Sequence, residues 1–146
     1  MKRIFTLFLC LLCIIAIPAH AADTNTVSTT ILEGNLRVVD QITIEQSNTR
    51  SYDRTATRTK TFYNGDTLIA EISFKATFRY DGTSVSVVSK SVTQTDTYSG
   101  WSYKEESFTS SGGTVTLTGK LKYLLIFNPT TFTMSMTCDA NGNISY

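Results

Sequence analysis

Histidine is nearly absent from this chain of 146 residues, and cysteine, proline and tryptophan are scarce: one His, three Cys, two Pro and one Trp. Several of these rare residues fall where an export signal would remove them. Lys2 and Arg3 precede an apolar run from Ile4 to Ile17, and Pro18 and Ala19-His20-Ala21 follow it. A basic start, an apolar stretch and small residues at the third and first positions before a cut are what signal peptidase accepts, so cleavage is expected after Ala21. The run is too short to cross a bilayer, which takes about 20 apolar residues. The processed chain of 146 − 21 = 125 residues then has no histidine, and Cys138 is its one thiol. Ser-His-Asp triads, Cys-His dyads and histidine metal sites are excluded on that ground. No cofactor is expected.

An excess of charge of either sign is also missing. The full chain carries 13 basic and 12 acidic residues, and loss of Lys2 and Arg3 leaves 11 against 12. A nearly neutral chain has no general attraction for nucleic acid or anionic lipid, so neither is expected as a partner. The third absence is helical periodicity, which no window after the signal shows. What is plentiful is hydroxyl: residues 22–146 hold 24 Thr and 15 Ser, with 14 aromatics. That mixture suits pleated sheet.

Alternation of apolar and polar residues bears this out along most of the chain. From Thr67 to Tyr80 every even position is apolar (Leu68, Ala70, Ile72, Phe74, Ala76, Phe78, Tyr80), and among the odd ones only Ile69 is. This predicts a long half-buried strand. Asn64-Gly65 and Asp81-Gly82 bracket it, dipeptides that tolerate the positive φ of tight hairpins, so the strands on either side are expected to be its neighbours. Before it, Thr55, Thr57, Thr59 and Thr61 alternate with Arg54, Ala56, Arg58, Lys60 and Phe62. Neither face is continuously apolar, which predicts an edge strand or a strand extension exposed on both sides. After it, Val85 and Val87 give way to Val88 and Val92, a change of parity that predicts a β-bulge. Further strands are expected over 36–44, 98–108, 114–127 and 132–138. Residues 22–30 have no period and read as a flexible leader. The expected architecture is all-β, an antiparallel β-sandwich or small barrel of about seven to nine strands, with 31–146 as a single domain.

Five sets of residues are weighed as candidates for function. Tyr98, Trp101 and Tyr103, spaced by Ser99, Gly100 and Ser102, form either an aromatic surface for sugars or proteins, or a set of core rings. Arg54, Arg58 and Lys60, with Arg50 before them and Tyr52 and Phe62 interleaved, form either a platform for an anionic polymer or a solvated strand face. Cys138 shares parity with Phe132, Met134 and Met136. It is read as a buried core thiol in a monomer, the alternative being a disulfide-linked dimer or a reactive thiol. Asp139-Ala140-Asn141-Gly142-Asn143 resembles the opening of a calcium loop but has Ile144 where that loop requires glycine, so a turn is expected and no metal. Adjacent Glu105 and Glu106 point to opposite strand faces, whereas Glu71, Asp81 and Asp96 from different strands remain candidates to converge for glycoside hydrolysis.

Taken together, Tyr63-Asn64-Gly65, the run Phe74 to Gly82, Gly100-Trp101, Gly112-Gly113-Thr114-Val115 and the tail Cys138 to Asn143 resemble small exported proteins of unknown function from gut Clostridia and related bacteria. The resemblance implies an exported bacterial β domain and carries over no catalytic or binding residue. The expected function is therefore that of a secreted, extracellular, non-enzymatic protein that recognises a glycan, an envelope component or a protein. The alternatives are an exported antagonist that plugs a partner enzyme with a loop such as 94–103, and a small glycosidase-like hydrolase.

Overall fold

A computed structural model describes residues 24–31, 36–45, 52–123 and 129–146. The expected signal at 1–21, Arg50, Leu125 and Phe127 lie outside the described residues. Among the described residues nine strands run in chain order: β1 Thr24–Ile31, β2 Leu36–Glu45, β3 Asp53–Asn64, β4 Thr67–Tyr80, β5 Val85–Thr97, β6 Trp101–Ser111, β7 Thr114–Tyr123, β8 Thr130–Cys138 and β9 Ile144–Ser145. One sheet has the order β1-β2-β3-β4-β5 and the other β6-β7-β8-β9, with every neighbouring pair antiparallel. Strands adjacent in a sheet are thus adjacent in sequence. The chain changes sheet once, between β5 and β6. The all-β expectation holds, as a β-sandwich. Among the described residues no helix is long and apolar enough to cross a membrane.

β4 shows why the fold closes as it does. Its even positions Ala70, Ile72, Phe74, Ala76 and Phe78 are buried, and they meet Val115, Leu117 and Leu121 of β7 and Met134 and Met136 of β8 in one core. Phe74 stands edge-on to Phe108 of β6 at 5.5 Å between ring centroids, and Phe62 of β3 lies 5.0 Å from Phe132 of β8. The expected hairpins are present on both sides of β4, with Gly65 at φ 58° and Gly82 at φ 86°.

Three register slips account for sequence anomalies. Phe62 pairs with Ala70 but Tyr63 with Leu68, so Ile69 is an extra residue in β4 and turns inward to be 2% exposed. That bulge explains the one apolar residue at an odd position. Thr77 pairs with Ser89 and Phe78 with Val87, which leaves Val88 as the bulge anticipated from the change of parity. A second bulge at Thr93 follows on the same strand.

Two expectations are corrected. β3 is not an edge: it lies between β2 and β4 in unbroken pairing with β2. Its mixed pattern arises because Arg54, Arg58 and Lys60 face inward with Ala56 and Phe62, while the threonines face out. The segment 22–30 is likewise not a leader throughout, since from Thr24 it forms β1 and pairs with β2 residue by residue. Residues 25–30 are exposed, so no apolar period marks them, and main-chain pairing holds the strand in place.

Candidate functional site

The basic residues of β3 are placed by what stands opposite them. β8 pairs with β7 on one side, and on its other side the short β9 reaches only Thr137 and Cys138. The remaining carbonyls on that side face β3 across the sandwich. Lys60 Nζ donates to Thr133 O at 3.0 Å, Arg58 Nη1 donates to Ser135 O, and Arg54 Nη1 donates to Gly142 O at 2.7 Å. Arg58 is also held by Asp40 of β2, with Nε to Oδ1 at 2.8 Å and Nη2 to Oδ2 at 2.5 Å. Such a two-pronged guanidinium–carboxylate pair offsets the cost of burying both charges. Tyr146 lies with its ring 5.2 Å from the Arg58 guanidinium. Burial pulls the Lys60 ammonium below the ordinary lysine range, while Asp40 at 3.5 Å opposes the shift. The stripe therefore supplies donors to an otherwise open strand edge. It also lines one hollow of about 250 Å³, where Asp40, Lys60, Phe62 and Phe132 meet Thr30 and Thr130.

The aromatic residues lie at the other notable position, the single sheet crossing. The extra residue Ile69 presents its carbonyl to Tyr98 N at 3.0 Å, and Trp101 N donates to Tyr98 O at 3.0 Å. The crossing is thus a tight three-residue turn. Residues 94–97 belong to β5 and 101–103 to β6, so the expected plugging loop at 94–103 is mostly strand. Gly100 sits at φ 83°, and a Cβ there would lie 2.7 Å from Tyr123 Cε2. That close approach lets Tyr123 lie against Trp101, its register partner, at 5.3 Å and 46°.

Trp101 combines both readings of its sequence. It is half-buried and packs on the core, yet it also lines an open hollow of about 310 Å³ with Asn64, Thr67, Ile69, Ser99 and Tyr123. Tyr98 is 41% exposed and stands beside this hollow without lining it. Tyr103 parts from the other two and points between the sheets. Its ring lies 6.1 Å from Phe132, over Gly119, where a Cβ would come within 2.5 Å. Its buried hydroxyl has no hydrogen-bond partner among the described residues, and burial, with a smaller effect from Glu105, raises its pKa. Asn64, Thr67 and Tyr123 were missed from sequence because they come from two hairpins. The hairpin dipeptide at Asn64-Gly65 was their one visible signal.

The remaining candidates resolve locally. Cys138 is 1% exposed, its Sγ lies 3.4 Å from Asp139 O, and burial followed by the Asp139 charge pushes the thiol up. The Asp139 carboxylate accepts from Asn141 N and Asn143 N at 2.8 Å each and from Asn143 Nδ2 at 2.7 Å. Those bonds, the Asn143 side chain first, hold its pKa below the usual value. The segment is a turn, and no group of three His, Cys, Asp or Glu able to hold a metal occurs among the described residues. Glu71 and Asp96 are register partners on the outer sheet face. Asp81 is turned away from them, accepting from Thr83 N, Ser84 N and Ser84 Oγ. Asp96 and Glu105 border an open, polar hollow between β5 and β6. Compared with known proteins, the chain matches no family model, no curated protein and no solved structure.

Proposed function

We propose that this chain is a secreted, non-enzymatic recognition protein that binds a glycan of an envelope or cell surface at the aromatic corner. The observation that carries the reading is the hollow that Trp101, packed on Tyr123, lines together with Asn64, Thr67 and Ser99, residues that carry an amide and two hydroxyls. A flat ring beside short polar groups suits a sugar, whose axial hydrogens stack on π faces while its hydroxyls exchange hydrogen bonds. The volume is at the small end of ligand sites, which run from about 300 to 1,000 Å³, so one or two sugar rings are the fitting size. Support for export comes from the signal read at residues 1–21, and the resemblance to small exported proteins of gut Clostridia agrees with it. Tyr98 supplies further exposed aromatic surface at the rim.

Trp101 is the only tryptophan of the chain, so its fluorescence reports on this corner alone. Titration with a panel of envelope and host glycans is expected to change that emission saturably for at least one member. A panel with no response, together with recovery of a single protein from pull-down out of competitor supernatants, would replace this reading with the antagonist one.

A further inference from the structure

Each sandwich sheet ends in two edges, and three of the four carry a device that blocks further strand pairing. β5 has bulges at Val88 and Thr93, and its Lys90 turns inward, with Nζ 4.5 Å from the centre of the Phe108 ring. β6 has a bulge at Glu106 beside Lys104 and Glu105. β8 has outer carbonyls, Thr133 O and Ser135 O, occupied by Lys60 and Arg58, and Arg54 donates to Gly142 O in the turn that follows. Bulges, inward lysines and edge charges are the usual means by which sheets avoid pairing with other chains. β1 has none of them. Thr24–Ile31 reads Thr-Asn-Thr-Val-Ser-Thr-Thr-Ile, without charge, proline or glycine, and its register to β2 is unbroken over all eight residues. Val27, at its centre, is 56% exposed.

We propose that β1 pairs antiparallel with β1 of a second copy of this chain, joining two five-stranded sheets into one of ten strands about a twofold axis at Val27. The occupant follows from self-complementarity, which a twofold contact requires. With Val27 opposite Val27 of the second copy, Thr26 meets Ser28, Asn25 meets Thr29 and Thr24 meets Thr30. No like charges are brought together. Hydroxyl pairs of this kind already link neighbouring strands inside each copy: Thr55 with Thr77, Ser73 with Thr93, Thr114 with Thr137, Thr116 with Ser135 and Thr118 with Thr133, at 2.8 to 3.3 Å. Seven residues of each copy, 24–30, pair in this register and supply roughly seven main-chain hydrogen bonds. A contact made by one strand edge buries less than the ~1,200 Å² of a standard stable interface, so the dimer is a weak one that forms between micromolar and millimolar concentration. The buried Cys138 takes no part, and the contact is independent of the aromatic corner.

The test is sedimentation of the naturally processed protein over that concentration range, with Val27→Lys, Val27→Glu and an equimolar mixture of the two variants. Val27 is outside the core, so both variants are expected to keep the wild-type circular dichroism and melting temperature. The wild type should show a reversible monomer–dimer equilibrium. Each variant alone should dimerise at least about tenfold more weakly, because like charges then face each other, and the mixture should recover dimer by pairing Lys with Glu. A wild type that stays monomeric throughout, variants that dimerise as the wild type does, or a mixture that fails to recover dimer would each overturn the pairing.

Discussion

Arg54, Arg58 and Lys60 alternate along β3 much as Trp101 and Tyr103 alternate along β6, and both sets are candidate binding residues from sequence. The fold treats them differently because of what lies across the sandwich. Opposite β3 is the edge of β8, to whose carbonyls Arg58 and Lys60 donate, while Arg54 donates to Gly142 O in the turn after it. Trp101 is the first residue of β6, at the point where the chain crosses over, and its ring lines an open hollow. Charge in a strand is therefore not sufficient to mark a surface site. Position relative to the opposing sheet decides whether a polar or aromatic side chain is structural or available.

The largest expected effect falls on the inward cations. Arg58→Ala takes the two-pronged partner from the half-buried Asp40, which keeps only Lys60 at 3.5 Å, and leaves Ser135 O without this donor. Breaking such a pair on one side is expected to cost about 3–5 kcal/mol, measured by chemical denaturation. Replacing all three charged groups, as Asp40→Leu with Arg58→Met and Lys60→Met, should return much of that loss, because apolar residues of similar size then leave no lone charge in the cluster. If Arg58→Ala has the stability of the wild type, the inward pair is not structural and the contrast between the two regions fails.

At the aromatic corner, Gly100→Ala places a Cβ against Tyr123 and forces a left-handed backbone on alanine. A stability loss of about 1–3 kcal/mol is expected, together with a shift in Trp101 emission as Tyr123 is displaced. An unchanged emission would separate Tyr123 from the Trp101 environment. Tyr98→Ala should be smaller still in stability, within about 0.5 kcal/mol, since the residue is 41% exposed and does not belong to the buried core. Any weakening of glycan binding in that variant then reports contact at the rim.

The smallest effects concern pH. Asp81 and Asp139 are both held below the ordinary aspartate value of 3.8, Asp81 mainly by the backbone N–H of Ser84 and Asp139 by the Asn143 side chain. A carboxyl with a depressed folded pKa contributes stability that is full above its unfolded pKa and is lost as pH falls through the folded one. Stability should therefore decline from about pH 4 downward, and Asp81→Asn or Asp139→Asn should flatten that decline without altering glycan binding. An acid limb unchanged in both variants would show that neither turn contributes to it.

Much of the sheet architecture is legible in the residues. β4 is plain because its alternation is unbroken on one face and glycine hairpins close it at both ends, and the parity change at Val87-Val88 marks a bulge without any structure. Ile69 was visible as an exception but not as the residue that anchors Tyr98 at the crossing. β3 misleads because an edge exposed on both sides and an internal strand that caps another strand's carbonyls have the same composition. β1 misleads in the opposite direction: an exposed strand held by its main chain has no apolar period. The short β9 is held by two register pairs at the end of β8 and leaves no period either. Of the site, Trp101 and Tyr98 were legible as aromatics among small residues. Asn64, Thr67 and Tyr123 were not, since they join Trp101 only through the pairing of β6 with β7 and the placing of the β3–β4 hairpin.

The most direct measurement is calorimetric titration of a glycan that alters Trp101 emission into the wild type, Trp101→Ala, Thr67→Ala and Arg54→Gln, each well below its melting temperature. Loss of the ring from the hollow should weaken binding by at least about tenfold, as removal of a central aromatic contact does. Thr67→Ala should weaken it by less, and Arg54→Gln should leave it unchanged while lowering stability. Binding that survives Trp101→Ala and falls with Arg54→Gln would contradict this account and return the basic stripe to the role of binding surface.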